Sequence, residues 1–308
     1  MFVFLLPYVC ASLWGHVGEE TEKLRQREGM PQAQEAAGYE ILVKYDWGVW
    51  ALPLEEYLVY KLSAVMPQEY EKEALKAQAV LLRTEVVEAL REEDTKSLQI
   101  SGGGMERWYE TDTGSEAYLP WRQAVEETAG LYLCCEGEPI QASYFKLSNG
   151  QTRDAAEVWD TDTRPYLTGI SCVQDKAARD YSSIVKVSRT NYVRTLQARL
   201  TGNFSQQEIL EGAAVSYDSA GYVTKVSFSA ENKETQEIDG EEFRYLFDLP
   251  SASFEMEQEK TQVIFRVTGV GHGFGMSQYG ANCMALNGET YDQILAEFFF
   301  RTELAKFE

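Results

Sequence analysis

The chain has 308 residues, of which 44% are hydrophobic, and this is enough to bury a sizeable core. Its 28 lysines and arginines against 49 aspartates and glutamates give a formal net charge of −21. So acidic a surface repels phosphate backbones, which excludes nucleic acid as a partner. Because the acidic residues are spread along the chain, we interpret most of them as a solvated surface.

The first residues form an apolar stretch, "MFVFLLPYVCASLWG", about as long as the core of a signal peptide but without basic residues before it. Three interpretations remain open: a truncated signal anchor, a secretory leader, or a buried first strand. Residues 16–38 are charged and poor in large apolar side chains, which is typical of a linker. We therefore expect a possible signal anchor at 1–15, a linker at 16–38, and an extracytoplasmic body that is secreted or held at the cell membrane.

The folded body is predicted to begin at Tyr39. Alternation of Ile41, Val43 and Tyr45 predicts a half-buried strand. Pro53 then precedes apolar residues at helical spacing, which predicts a helix that begins directly after it.

A longer helix is predicted from about Tyr70 to Glu92, because leucine and valine recur there along one stripe. Residues 131–145 and 183–270 hold short alternating runs that predict strands. Helices early and late around a strand-rich middle indicate an α+β fold with largely antiparallel sheets and packed helices. We expect one large domain over residues 39–308.

Cysteine and histidine are too sparse and too scattered to predict a metal site or a cofactor. Cys134 and Cys135 are adjacent in a strand pattern, so their side chains are expected on opposite faces. With only two histidines in the chain, a zinc site lacks ligands. The five cysteines are interpreted as buried or free thiols, and a single disulfide that involves Cys172 is the alternative.

The densest group of chemically informative residues is "VTGVGHGFGMSQYGANCMALNG", residues 267–288, called here the glycine–histidine block. Alternating glycines permit tight backbone at the end of a strand, and Ser277 is predicted to cap a helix that begins near Gln278. The glycine spacing does not fit a dinucleotide loop, and a Ser277–His272 nucleophile pair lacks a third member. Two interpretations remain: a strand-to-helix turn without further role, or a cleft floor that presents His272, Gln278 and Tyr279 to a polar ligand such as a sugar.

Three segments in this order resemble a known family: "EALKAQAVLLRT" at 73–84, "YFKLSNGQTRDAAEVW" at 144–159 followed by "PYL" at 165–167, and "GHGFGMSQYGA" at 271–281. On these blocks the chain is identified as a member of the stage II sporulation protein D and amidase-enhancer family. The resemblance covers roughly residues 39–300.

The resemblance implies a membrane-anchored protein that acts on peptidoglycan during engulfment in an endospore-forming bacterium. Active members are lytic transglycosylases, in which the muramic acid C6 hydroxyl displaces the leaving sugar and one carboxyl group serves as acid and then base. The implied partners are peptidoglycan glycan strands, a peptidoglycan amidase or other engulfment proteins. We expect the sugar to contact Tyr144, Ser148, His272, Gln278 and Tyr279.

The family's catalytic carboxyl is a glutamate directly before Met-Pro, and this chain has Val65 there, before Met66 and Pro67. Valine cannot transfer a proton, so no catalytic residue is assigned at this position. Phe145 also departs from the family pattern, because a histidine follows the tyrosine in many members.

Two other carboxyl groups are candidate substitutes for the missing acid. Glu69 lies just past Pro67, and Glu85 lies on a predicted helix face beside an apolar stripe, where its pKa is expected to rise. We expect lost or weakened cleavage with glycan binding retained. The alternatives are an active transglycosylase that uses Glu85 or Glu69, and an amidase enhancer that acts through protein contacts.

Overall fold

The computed structural model describes residues 39–46, 48–101, 113–159 and 163–307. The predicted anchor and linker lie outside these residues, as does most of the glycine-rich loop that follows residue 101. The described chain divides into two compact units, residues up to 140 with 304–307 and residues 141–303. No helix within the described ranges is long and apolar enough to cross a membrane.

The first unit combines two small sheets with three helices. Its elements are β1 (Glu40–Tyr45), β2 (Gly48–Pro53), α1 (Leu54–Val65), α2 (Lys72–Glu92), β3 (Ser97–Ser101), a 3-10 turn (Glu116–Tyr118), α3 (Leu119–Glu127), β4 (Leu131–Cys135) and β5 (Glu138–Pro139). One sheet has the order β2-β1-β3, and β14 (Glu303–Lys306) joins β4 and β5 in the other. Strand β1 pairs antiparallel with β2 and parallel with β3.

The second unit is built on antiparallel strands with short helices between them. Its elements are β6 (Tyr144–Phe145), α4 (Ala155–Trp159), a 3-10 turn (Val173–Ala177), β7 (Ser182–Ser188), α5 (Arg189–Arg199), α6 (Gln206–Glu211), β8 (Ala213–Tyr217), β9 (Val223–Phe228), β10 (Gln236–Asp239), α7 (Gly240–Leu246), β11 (Phe254–Gln258), β12 (Gln262–Thr268), β13 (Met276–Ser277), α8 (Gln278–Leu286) and α9 (Tyr291–Phe298). Two antiparallel sheets have the orders β10-β9-β8 and β11-β12-β7. Their inward faces share one apolar core, in which Phe243, Phe254 and Phe265 pack ring against ring.

These elements confirm the α+β class, the strand at β1, and both early helices. Helix α2 begins at Lys72, two residues later than predicted, and α1 begins directly after Pro53 as expected. The expectation of a half-buried first strand was wrong in one respect. Leu42 is buried together with Ile41 and Val43, because β1 is the central strand of its sheet.

The strand-rich middle also contains helices that the sequence analysis did not predict. Helix α5 (Arg189–Arg199) carries few apolar residues, and three of them, Tyr192, Val193 and Leu196, are buried on one side. Ser188 caps this helix by accepting a hydrogen bond from the Asn191 N–H. A polar sequence of this kind gives a weak helical pattern, so its packing against the sheet decides the outcome.

Candidate functional site

The two segments that carry the predicted sugar-binding residues lie side by side in the second unit. Strands β6 and β13 pair in parallel, with Met276 opposite Tyr144 and Ser277 opposite Phe145. The Val270 N–H donates to the Leu147 carbonyl oxygen (2.7 Å), and the Leu147 N–H returns a bond to Val270 (3.0 Å). The backbone from Tyr144 to Leu147 is therefore held along the glycine–histidine block.

Glycine is required in this block because the neighbouring segment approaches too closely for a side chain. Gly271 has φ 119°, and a Cβ there would come within 2.6 Å of the Phe145 Cβ. Gly275 has φ 72°, and a Cβ there would overlap the Ser143 carbonyl oxygen. Both the positive φ and the lack of space exclude other residues. The predicted tight backbone at the end of strand β12 is confirmed.

The His272 ring is held by backbone groups on both nitrogens. Its Nδ1 accepts a hydrogen bond from the Phe274 N–H (3.1 Å), and its Nε2 lies 3.1 Å from the Tyr144 carbonyl oxygen. Since a carbonyl oxygen only accepts, the ring proton belongs on Nε2 and the imidazole is neutral.

The electrostatics agree with a neutral His272. Burial, with contributions from the cations Arg244 and Arg153, lowers the pKa of His272 to about 4. A ring with both nitrogens engaged is poorly suited to act as a general base, so its first effect is to fix the turn. The sugar contact expected of His272 stays a prediction.

A buried carboxylate ties the same two segments together from below. Asp175 Oδ2 accepts hydrogen bonds from the Ser148 N–H (2.8 Å) and from the Ser277 hydroxyl (2.6 Å). Ser277 Oγ in turn accepts from the Gly280 N–H, which confirms the predicted cap of α8. Burial raises the pKa of Asp175, and the bonds from Ser277 and Ser148 oppose that rise.

The five predicted sugar-binding residues are gathered on this pair of segments, but they differ in exposure. Ser148 is fully buried and Gln278 is only 5% exposed, so these two support the surface from beneath. Tyr144, His272 and Tyr279 are half-buried. The Tyr279 N–H also donates to the Lys146 carbonyl oxygen (3.2 Å), which fixes the start of α8 against the first segment.

The position at which the resemblance places the family's acid lies in the first unit, where α1 ends. Val65 is the last residue of α1 and is half-buried. Residues 65–70 are called here the acid-position turn. Its shape is held from outside, because the Trp121 Nε1–H donates to the Met66 carbonyl oxygen (2.9 Å). The backbone next to Val65 is thus anchored by Trp121.

The two candidate substitutes lie in different surroundings from Val65 and from each other. Glu69 is exposed on the acid-position turn and accepts a bond from the neighbouring Gln68. Burial raises the pKa of Glu85 to about 7, and Lys61 opposes that rise, as the apolar stripe of α2 led us to expect. Burial raises the pKa of Tyr57, and the Glu85 carboxyl group adds to that rise.

The Glu85 carboxyl interacts electrostatically with two residues of α1, Tyr57 and Lys61. Tyr57, Lys61 and Val65 are spaced four residues apart, so they lie on one face of that helix. Glu85 as a substitute acid stays a prediction.

Other groups that sequence reasoning considered or missed have structural explanations. Cys134, Cys135, Cys172 and Cys283 are unbonded thiols. Among the described residues, no three histidine, cysteine or acidic side chains come together as metal ligands. Asp175 was missed because nothing in "SCVQDKAARD" marks it; its role depends on partners 27 and 102 residues away.

Comparison with known proteins gives the same assignment along most of the chain. A family model described as Stage II sporulation protein matches residues 47–134. Stage II sporulation protein D of Bacillus subtilis (strain 168) is 30% identical over 268 residues, which cover 83% of this chain and 75% of that protein. The protein of the same name from Bacillus amyloliquefaciens is 29% identical with the same coverage. The amidase enhancer of Bacillus subtilis (strain 168) is 26% identical over 79% of this chain and 39% of its own length. The chain therefore belongs to the stage II sporulation protein D family.

Proposed function

We propose that this protein binds peptidoglycan glycan strands and has lost, or retains only weakly, the lytic transglycosylase activity that the family resemblance implies. The observation that carries the proposal is Val65 at the end of α1, where the resemblance places the acid. Cleavage requires a carboxyl group that protonates the glycosidic oxygen and then accepts the proton of the C6 hydroxyl. An isopropyl side chain can do neither.

The surroundings of Val65 favour a change of chemistry without a change of backbone. The Trp121 bond to the Met66 carbonyl holds the turn in place, and Met66 itself is buried. The turn therefore keeps its backbone conformation with a valine side chain at position 65. A general acid must reach the glycosidic oxygen within hydrogen-bond distance, and a carboxyl group that starts from another backbone position rarely does so, which makes Glu69 and Glu85 poor replacements.

Glycan binding is assigned to the paired segments of the second unit. Sugars are held by several directed polar contacts on an aromatic surface, and Tyr144 and Tyr279 provide both in half-buried positions. The neutral His272, with both ring nitrogens bonded to backbone groups, fixes the turn beside Tyr144.

The location and partners belong to the same proposal. We place the protein outside the cytoplasmic membrane, held there through its N-terminal segment, at the cell wall during engulfment. One relative is named an amidase enhancer, and a peptidoglycan amidase is accordingly the protein partner to test.

A second candidate function, active cleavage through Glu85, is favoured by one observation. A carboxyl group with a pKa of about 7 is protonated for part of the time at neutral pH, as a general acid must be. Its origin on α2, and not at the end of α1, argues against it.

The deciding experiment treats purified denuded glycan strands with the protein and measures both pull-down and products. We expect binding without anhydro-muramic ends in the mass spectrum. Abundant anhydro-muramic ends would overturn the loss of cleavage, and Glu85→Gln and Glu69→Gln variants would then identify the acid. Failure to retain strands, together with capture of an amidase, would replace the glycan by a protein as the ligand.

A further inference from the structure

Arg153 is a buried arginine whose contacts converge on three consecutive residues of the glycine–histidine block. It is only 2% exposed. Its backbone N–H donates to the Gly273 carbonyl oxygen (2.8 Å), and its Nη1 donates to the His272 carbonyl oxygen (3.4 Å). Its guanidinium carbon lies 4.6 Å from the centre of the Phe274 ring.

The guanidinium is itself fixed from the opposite side. Nε donates to Asp218 Oδ2 (2.6 Å), and Nη1 lies 3.8 Å from Glu241 Oε1. The fully buried Tyr222 ring lies 5.2 Å from the guanidinium carbon, so the cation is stacked between two aromatic rings. Asp218 Oδ1 also accepts from the Tyr222 N–H (2.8 Å), which locks the acid in turn.

This arrangement uses properties that only arginine has. A planar guanidinium stacks on rings and donates in several fixed directions at once, whereas lysine offers a compact ammonium without a plane. A shift of the guanidinium would move the His272 carbonyl and the Phe274 ring together, while the backbone bond from Arg153 to Gly273 would remain. The direction of the Phe274 N–H, which sets the His272 tautomer, would move with them.

We propose that Arg153 is the positioning residue of the glycan site: it holds residues 272–274 in the one conformation in which the His272 ring fixes the turn beside Tyr144. The inference rests on the proposed function for its ligand, but the geometry of the turn is testable without any glycan. Arg153 does not contact the bound sugar; it acts through residues 272–274.

The test compares Arg153→Lys with a matched control, Arg83→Lys. Arg83 is also fully buried, and it also bonds a carboxylate (Glu55) and a backbone carbonyl (Leu131), but it lies in the first unit. Each substitution replaces a buried guanidinium by an ammonium group and keeps the positive charge. A difference between them therefore reports what Arg153 supports, beyond the cost of losing a buried arginine.

Two readouts are measured on the full chain: affinity for denuded glycan strands, and the imidazole nitrogen NMR signals. With only His16 and His272 in the sequence, a His16→Gln background leaves one ring to observe. For Arg153→Lys we expect about tenfold weaker glycan binding and a mixture of His272 tautomers. For Arg83→Lys we expect a lower melting temperature with both readouts unchanged.

The proposal is overturned if Arg153→Lys keeps the single tautomer and full affinity, or if Arg83→Lys loses both as well. If the wild type binds no glycan, the proposed function fails, and the tautomer comparison still decides whether Arg153 positions the turn. Should Arg153→Lys not fold, Phe274→Leu removes the stacked ring and keeps an apolar side chain. That variant must weaken glycan binding and mix the tautomers; unchanged signals would refute the proposal.

Discussion

The acid-position turn and the glycine–histidine block are both short segments held by neighbouring groups, yet they respond differently to substitution. At Val65 a substitution changes the side chain and leaves the backbone in place, because Trp121 and the buried Met66 hold the backbone. In the glycine–histidine block a substitution changes the backbone, because its conformation depends on the glycines and on the hydrogen bonds of both His272 nitrogens. Chemistry can therefore be lost at the first segment without disturbing the fold, whereas the second tolerates little change.

The largest expected effect follows from adding one methyl group to the glycine–histidine block. Gly275→Ala combines a positive φ with overlap of the Ser143 carbonyl oxygen, and we expect it to lower the free energy of unfolding by about 3 to 5 kcal/mol. Urea denaturation measures this. Gly288→Ala is the control, since its φ is 92° but nothing lies within 4 Å of its Cβ, and it should cost only about 1 kcal/mol. Equal losses would mean that backbone strain alone is responsible.

The next effect is a pH dependence that originates at His272. Because its pKa is lowered to about 4 in the folded state, the unfolded chain binds more protons between pH 4 and its ordinary value near 6.5. Its contribution is fully present above about pH 6.5 and is lost as the pH falls, by at most about 3 kcal/mol.

Urea titrations of the wild type and His272→Gln between pH 4 and 7 check this dependence. The raised pKa of Glu85 produces the opposite slope, but it is common to both proteins. The difference between the two curves therefore isolates His272. Parallel curves would show that the ring is not held in its neutral form.

Val65→Glu tests whether the first segment still supports chemistry. A half-buried carboxyl should cost about 1 to 3 kcal/mol of stability unless it finds a partner. If the turn is still in its functional shape, anhydro-muramic ends should appear, since a general acid contributes about 10² to 10⁴ in rate. Glutamine has nearly the same shape as glutamate but no transferable proton, so the Val65→Gln variant must stay inactive.

A silent Val65→Glu variant would locate a further defect outside the acid position. Phe145 is the first candidate, because it is buried and packs 5.6 Å from the His272 ring centre. Adding Phe145→His to Val65→Glu is then the informative step.

The smallest effect concerns the bond that holds the acid-position turn. Trp121→Phe removes the indole N–H that Met66 accepts and keeps an aromatic ring, so we expect a loss of about 1 kcal/mol. In a Val65→Glu background the same change should reduce any restored cleavage by more than this stability loss explains. Unaltered product yield would mean that the turn keeps its shape without Trp121.

The same contrast explains which features could be predicted from the sequence. The alternating glycines and the Ser277 cap are local signals, and both predictions are confirmed. The raised pKa of Glu85 was anticipated from its place beside an apolar stripe, since helical spacing is also local.

Other features depend on residues far apart in the chain and left no local signal. The His272 tautomer is set partly by Tyr144, 128 positions earlier, and the position of Arg153 by Asp218, 65 positions later. Helix α5 was missed because packing of a few residues against the sheet outweighs its polar sequence.

The alternation of glycine in the block has a consequence for protein engineering. Of the positions between the glycines, His272 and Phe274 are committed to the turn, which leaves Val270 as the one where the side chain can be exchanged freely. A library that randomises the whole stretch would consist largely of clones that fail to fold. Restricting diversity to Val270 within this stretch would keep a constant frame on which carbohydrate preference can be selected.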